Sequence, residues 1–105
     1  MITTGSKEFY KGVNEIKYEG EESDNPFSFK YYNPDHLVMG KSMREHFRFA
    51  IAYWHSFCGQ GSDPFGPGTQ QFPWDQSLDP IQRAKDKADA AFELITKLGF
   101  DYFCF

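Results

Sequence analysis

Basic charge is scarce in this sequence: 11 Lys and Arg stand against 15 Asp and Glu, leaving a net charge of −4 and an isoelectric point near 5.2. Such a balance offers no electrostatic footprint for nucleic acid or for an anionic membrane surface. No apolar run approaches the roughly 18 residues that a membrane span requires, and the polar stretch from Met1 to Tyr10 lacks the apolar core of a secretory signal. The expected location is the cytoplasm. Cysteine is also sparse. Cys58 and Cys104 stand at no metal-ligand spacing, and their apolar neighbours suit two reduced, buried thiols. With 105 residues there is room for one small domain.

Aromatic surface, by contrast, is abundant. Phe, Trp and Tyr make up 19% of the chain, 12 of them Phe, which is more apolar area than a solvated, disordered segment carries. Much of it lies between Arg48 and Asp75, where an apolar strand runs into a Gly/Pro/aromatic loop. In an extended strand Phe47, Phe49, Ile51, Tyr53, His55 and Phe57 share one face, and Ala50, Ala52, Trp54 and Ser56 share the other. A strand apolar on both faces fits a parallel sheet covered by helices. In a barrel the Ala/Trp face would look inward, with Trp54 near the C-terminal mouth. The loop from Cys58 to Leu78 holds four of the nine glycines and three of the six prolines, so neither helix nor strand propagates through it. Connections of this length are usually functional, and Phe65, Phe72 and Trp74 within it require a pocket or a partner chain.

The surest element follows. Asp79 caps a helix, Pro80 suits its first position, Gln82 completes a capping box and Gly99 supplies a left-handed stop. Ile81, Ala84, Ala88, Ala91, Phe92, Ile95 and Leu98 form its apolar stripe, while Lys85, Asp86, Lys87, Asp89, Glu93 and Lys97 lie largely outside it. Strand, loop, helix and the apolar DYFCF run make a β-α-β unit with a right-handed crossover. Upstream, Ser42 and Glu45 form the capping box of a short helix, Phe27 to Tyr32 has strand character between Asn-Pro turns, and residues 1–25 read as an arm with frayed ends.

Several polar residues invite a chemical role. Glu19, Glu21 and Glu22 read as a solvated acidic turn, because a hard-metal site needs carboxylates converging from several elements. His36 and His46 have no carboxylate or cysteine at a ligand spacing. His55 lies at the strand's end, where barrel sites are built, but its parity points it away from the lumen.

The run YWHSFCGQGSDPFGPGTQQFPWD, preceded by NPFSFKYYNPD and MGKSMREHFRFA and followed by RAKDKADAAFELITKLG and YFCF, closely resembles the N-terminal quarter of bacterial and fungal D-xylose isomerases from about Ile16 onward. A (β/α)₈ barrel takes about 250 residues, so the resemblance implies a piece of one. The fold class expected is α/β: an N-terminal arm and the first β-α-β unit of a TIM barrel, incomplete in this chain. Residues 1–46 would be the arm and short helix covering the barrel floor, and 47–105 the truncated first unit, with Met1 the natural amino end and the carboxyl end lost beyond Phe105.

Members of that family convert D-xylose to D-xylulose by ring opening and a hydride shift assisted by two divalent cations, Mg²⁺, Mn²⁺ or Co²⁺, with D-glucose a second candidate sugar. The resemblance implies that Trp54 lines the sugar pocket and that Phe65 reaches across a subunit interface, in an enzyme that is typically a homotetramer. The ring-opening histidine would follow Phe105 directly, and the metal ligands and catalytic lysine lie further on. The chain as it stands is therefore expected to be inactive. Two other readings are a self-contained binding module that docks through its aromatic loop, and a different sugar-handling barrel of the same superfamily.

Overall fold

A computed structural model describes residues 3–105. Its elements in chain order are strands β1 (Leu37–Val38) and β2 (Lys41–Ser42), helix α1 (Met43–His46), strand β3 (Ala50–Ala52), helix α2 (Tyr53–Phe57), a 3₁₀ turn (Pro73–Asp75), helix α3 (Pro80–Leu98) and strand β4 (Tyr102–Cys104). β3 and β4 pair in parallel, Ala50 opposite Tyr102 and Ala52 opposite Cys104, so the chain contains the expected β-α-β connection through α3. β1 and β2 form an unanticipated antiparallel hairpin. Its turn residues Met39 and Gly40 both have positive φ, 54° and 81°, as a two-residue hairpin of primed type requires. Among the described residues no helix is long and apolar enough to cross a membrane.

Local chemistry sets the helix ends. The Asp79 carboxylate accepts from the Ile81 N–H at 3.1 Å, and Gly99 adopts φ 72°. There the N–H groups of Gly99 and Phe100 donate to Thr96 and Ile95 carbonyls, closing a Schellman stop. Gln82 does not complete a box; its side-chain amide donates to Asp86 instead, at 2.9 Å. At α1 the Ser42–Glu45 capping box forms in full, and those bonds hold the Glu45 carboxyl below its usual range.

Three expectations are corrected. The strand after Arg48 ends at Ala52, and Tyr53–Phe57 winds into a helical turn that places Tyr53 and Phe57 on one side, ring centroids 5.7 Å apart. Trp54 and His55 therefore do not occupy opposite faces of a strand, and both are exposed. Phe27 to Tyr32 forms no named strand, only a single bridge from Phe29 to Tyr18. Nor are the two thiols both buried: Cys58 is half-buried and Cys104 exposed, and both are free.

The amino-terminal arm gives the largest departure. Beyond Met1 and Ile2, which lie outside the described residues, it docks along α3 and covers side chains placed above outside the apolar stripe. Thr4 donates to the Asp89 carbonyl at 2.7 Å, and the N–H groups of Phe9 and Tyr10 each donate to a Glu93 carboxylate oxygen at 2.9 Å. Lys97 donates to Glu8 at 3.1 Å, Glu93 at 2.9 Å and the Tyr10 carbonyl at 2.8 Å, using all three protons of its ammonium. Asp86, Glu93 and Lys97 are all buried, the last two completely. Ile81 and Ala84, expected in the apolar stripe, are exposed, whereas Ala91 and Ile95 are buried as expected.

The main core comprises Phe57, Trp74, Ala90 and Ala91, with Phe9, Tyr10, Ile51, Tyr53, Phe72 and Leu94 packed around it. Phe72 and Trp74 thus find their pocket inside this chain, stacked with centroids 4.6 Å apart. A second aromatic cluster joins Phe29 and Tyr32 to Phe49 and Phe100, at the N-terminal ends of β3 and β4. Even so, the Cα radius of gyration is 16.5 Å, against about 13 Å for a compact domain of this length. The accessible surface is 7818 Å², where a compact monomer of this mass shows about 6,100 Å².

Candidate functional site

Parallel pairing brings the C-terminal ends of β3 and β4 side by side, the edge on which β/α folds build their chemistry. β3 leads there into Tyr53 and Trp54, and β4 into Phe105. The Tyr53 and Phe105 rings meet at 5.5 Å. Burial, with the nearby Cys58 sulfur second, pushes the Tyr53 hydroxyl above its ordinary value. Trp54 projects from α2 and is 67% exposed. Among the described residues its ring pairs with no other aromatic, because the helical turn buries Phe57, half-buries Tyr53 and turns the intervening residues outward. The small-residue side is likewise not packed into a finished core: Ala50 is exposed and Ala52 half-buried.

Phe65 stands at the tip of the long connection, 96% exposed. The tip is built rather than loose. Asp63 and Gly66 exchange backbone hydrogen bonds at 3.2 and 3.3 Å, and the Phe65 N–H donates to the Asp63 carboxylate at 2.8 Å. Trp54 and Phe65 are not brought into contact with each other. Neither lines the two principal clefts, one of about 420 Å³ between the Tyr18, Tyr32 and Phe100 side chains and one of about 680 Å³ between the loop glutamines and Arg83. Apolar walls at this edge can exclude water and stack on a ring-shaped ligand.

A divalent cation does not fit the residues present. No three His, Cys, Asp or Glu side chains converge among the described residues, and the fully buried carboxylate of Glu93 already accepts three hydrogen bonds. Burial pushes Glu93 up, but the Phe9 N–H, Lys97 and the Tyr10 N–H outweigh it and hold the carboxyl below the usual range. Burial pushes Lys97 down, yet Glu93 and Glu8 hold it above an ordinary lysine. This ion cluster was not foreseen from the sequence, because its two halves lie more than eighty residues apart. It secures the arm. Glu19, one of the three acidic-turn residues, accepts from Ser23 and Asn25, as a capped surface turn does. His46 contacts the Val38 carbonyl at 2.8 Å, tying α1 to the hairpin.

The chain is 57% identical over 104 residues to xylose isomerase 1 of Xanthomonas campestris pv. campestris (strain 8004), a match covering 99% of this chain and 23% of that protein. Xylose isomerase 2 of the same strain is 56% identical, and xylose isomerase of Xanthomonas oryzae pv. oryzae (strain MAFF 311018) 55% identical, with the same shares covered. The chain thus spans less than a quarter of the length of the curated relatives it matches. No protein-family model matches it.

Proposed function

We propose, for a chain homologous to the xylose isomerases over the part of their length that it spans, that it forms the N-terminal quarter of such an enzyme. Residues 47–105 would be the first β-α-β unit of a (β/α)₈ barrel, and residues 1–46 would cover the floor of that barrel. The reaction of the complete protein is D-xylose to D-xylulose, with D-glucose a second substrate candidate. It runs in a cytoplasmic homotetramer that holds two divalent cations, Mg²⁺, Mn²⁺ or Co²⁺. Those cations would polarise the sugar oxygens when bound. No described residue of this chain is proposed as a ligand for them, and no step of the reaction is assigned to its own acids or bases.

Its contribution is the dry wall of the sugar site. Trp54 would close one side of the pocket in its own subunit, and Phe65 would enter the site of a neighbouring subunit across an interface. Excluding water matters for a hydride shift, because an exposed intermediate exchanges protons with solvent. The observation that carries this reading is the exposed Trp54 at the C-terminal edge of a parallel strand pair whose inward side is not packed. An aromatic side chain buries about 150–250 Å² when it finds its place, so leaving two of them outside favours a structure completed by further chain. The excess accessible surface supports the same reading over a free-standing binding module.

The test is direct. Replacing the matching 104 residues of the Xanthomonas campestris enzyme by this chain should yield a protein that converts D-xylose to D-xylulose, whereas the chain alone should convert none. Conversion by the purified chain alone would overturn the assignment of chemistry to the remainder. A folded, assembled chimera without activity would overturn the assignment of this chain to the isomerase.

A further inference from the structure

Phe65 is presented by a stretch whose every level is fixed, although the Gly/Pro-rich sequence reads as irregular. We infer that Asp63 and Gly68 are positioning residues for Phe65, holding the loop tip in the shape that offers the ring to its site. The inference rests on the role proposed for Phe65 above. At the tip, Asp63, Pro64, Phe65 and Gly66 form a tight turn with Asp first, Pro second and Gly fourth, the places each prefers in a type I turn. Proline fixes its own φ, and Asp63 and Gly66 exchange both backbone hydrogen bonds. The Asp63 carboxylate then accepts the N–H of Phe65 itself at 2.8 Å. The residue that carries the ring is thereby tied at its own amide, by a charge-assisted bond of the stronger kind.

Below the tip, the two limbs of the loop are drawn together where the Gln70 N–H donates to the Gln60 carbonyl at 3.1 Å. Gly68 passes so near that carbonyl that a Cβ there would collide with the Gln60 backbone. Backbone cannot swing aside as the end of a side chain can, so any other residue at 68 must open the neck and break the Gln60–Gln70 bond. At the root, Phe72 and Trp74 are stacked in the core. Tip, neck and root are each held, yet the ring they carry is almost wholly in water. Ordering a backbone in advance removes an entropy cost that would otherwise fall at docking. That is the use to which a rigid mount for a solvent-facing ring is suited.

Kinetics of the chimeric isomerase and amide exchange of the chain itself test the inference together. Asp63→Ala should lower kcat/KM about tenfold, as loss of a bond to a charged acceptor does, without changing the assembly state. Asp63→Asn keeps an acceptor oxygen and should recover most of that loss. In a Phe65→Ala background Asp63→Ala should add nothing, since a mount without its ring has nothing to position. Gly68→Ala should follow the same pattern. In the isolated chain the Phe65 and Gly66 amides should exchange slowly, and Asp63→Ala should release both. If Phe65→Ala alone leaves kcat/KM unchanged, the role of Phe65 falls. If Phe65→Ala is costly but Asp63→Ala is silent, or the two losses simply multiply, the positioning role alone falls. Random-coil exchange at Phe65 in the unaltered chain would overturn it without any enzyme assay.

Discussion

Along α3 the arm and helix satisfy each other, whereas at the C-terminal edge of β3 and β4 the chain leaves large apolar side chains in water. Glu93 and Lys97 are fully buried, and each charge is met by its counter-charge and by backbone groups of residues 9 and 10. Trp54, Phe65 and Phe105 are all exposed. The first region has the economy of a closed interior, in which a polar group leaves water only when it is paired. The second has the character of an interface, where aromatic area stays outside until a further surface arrives. One short chain thus holds a part whose polar groups are met within it and a part that leaves aromatic area open to a further surface.

The sharpest way to break that contrast is to remove the centre of the closed region. Glu93→Ala orphans two backbone N–H groups and leaves Lys97 with less than its full set of acceptors. Breaking a buried pair from one side costs about 3–5 kcal/mol, a large share of what a chain of this size can muster. Chemical denaturation of the isolated chain should show that loss, and a change below about 1 kcal/mol would mean that the arm is not docked as described. Trp74→Ala comes next. Removing a buried indole costs up to about 3–5 kcal/mol. Here the loss should sit toward the lower end, because the buried indole N–H has no acceptor among the described residues and its removal relieves an unsatisfied donor.

The pH dependence should be milder and two-sided. Glu93 titrates below its usual range in the folded chain, so its contribution is present above the unfolded carboxylate value, about 4.3, and is lost as the pH falls through the lower folded value. Tyr10 is raised to about 12, by burial first and by Glu93 second. Its contribution is intact below the unfolded tyrosine value, about 10, and is lost as the pH rises toward 12. Lys97, held above an ordinary lysine, adds to the alkaline side in the same sense. Protection factors at Phe9 and Tyr10, taken relative to intrinsic exchange at each pH, should therefore fall in acid and again in alkali. Loss of protection in acid alone would place the lock on Glu93 and leave Tyr10 idle.

Legibility in the sequence divides along the same line. Both ends of α3 were legible, since Asp79-Pro80 and Gly99 act on backbone groups within a turn of themselves. The parallel β3–β4 pairing was legible in outline from the order of apolar runs. The course of the chain through Tyr53–Phe57 was not, because five apolar-rich residues satisfy a period of 2 and a period of 3.6 almost equally. The one local hint was Tyr53 and Phe57 at i and i+4, which become packed together. The docking of the arm had no local signal at all. Glu93 and Lys97 sit where a solvated helix face would put them, and only contacts with residues near the amino end turn that face into an interior. At the site, Trp54 and Phe65 were singled out through the family resemblance, and their exposure was not legible in the local pattern. The proposed supports of Phe65 looked like ordinary turn residues until Asp63 was seen to accept the Phe65 N–H and Gly68 to pass against the Gln60 backbone.

The smallest expected effect is also the one that separates the two regions most cleanly. Trp54→Ala and Phe65→Ala remove side chains that are 67% and 96% exposed, so each should change the stability of the isolated chain by no more than about 0.5 kcal/mol. The same substitutions in the chimeric isomerase should lower turnover of D-xylose, because only there does a surrounding site give the rings something to exclude water from. Thermal unfolding of the chain and steady-state kinetics of the chimera, measured on the same pair of variants, set the two quantities side by side. A destabilised chain with unimpaired turnover would invert the assignment and make Trp54 part of this chain's own packing. A near-neutral chain with impaired turnover is what an unfinished edge requires, since the energetic value of those rings then lies in a surface this chain does not itself contain.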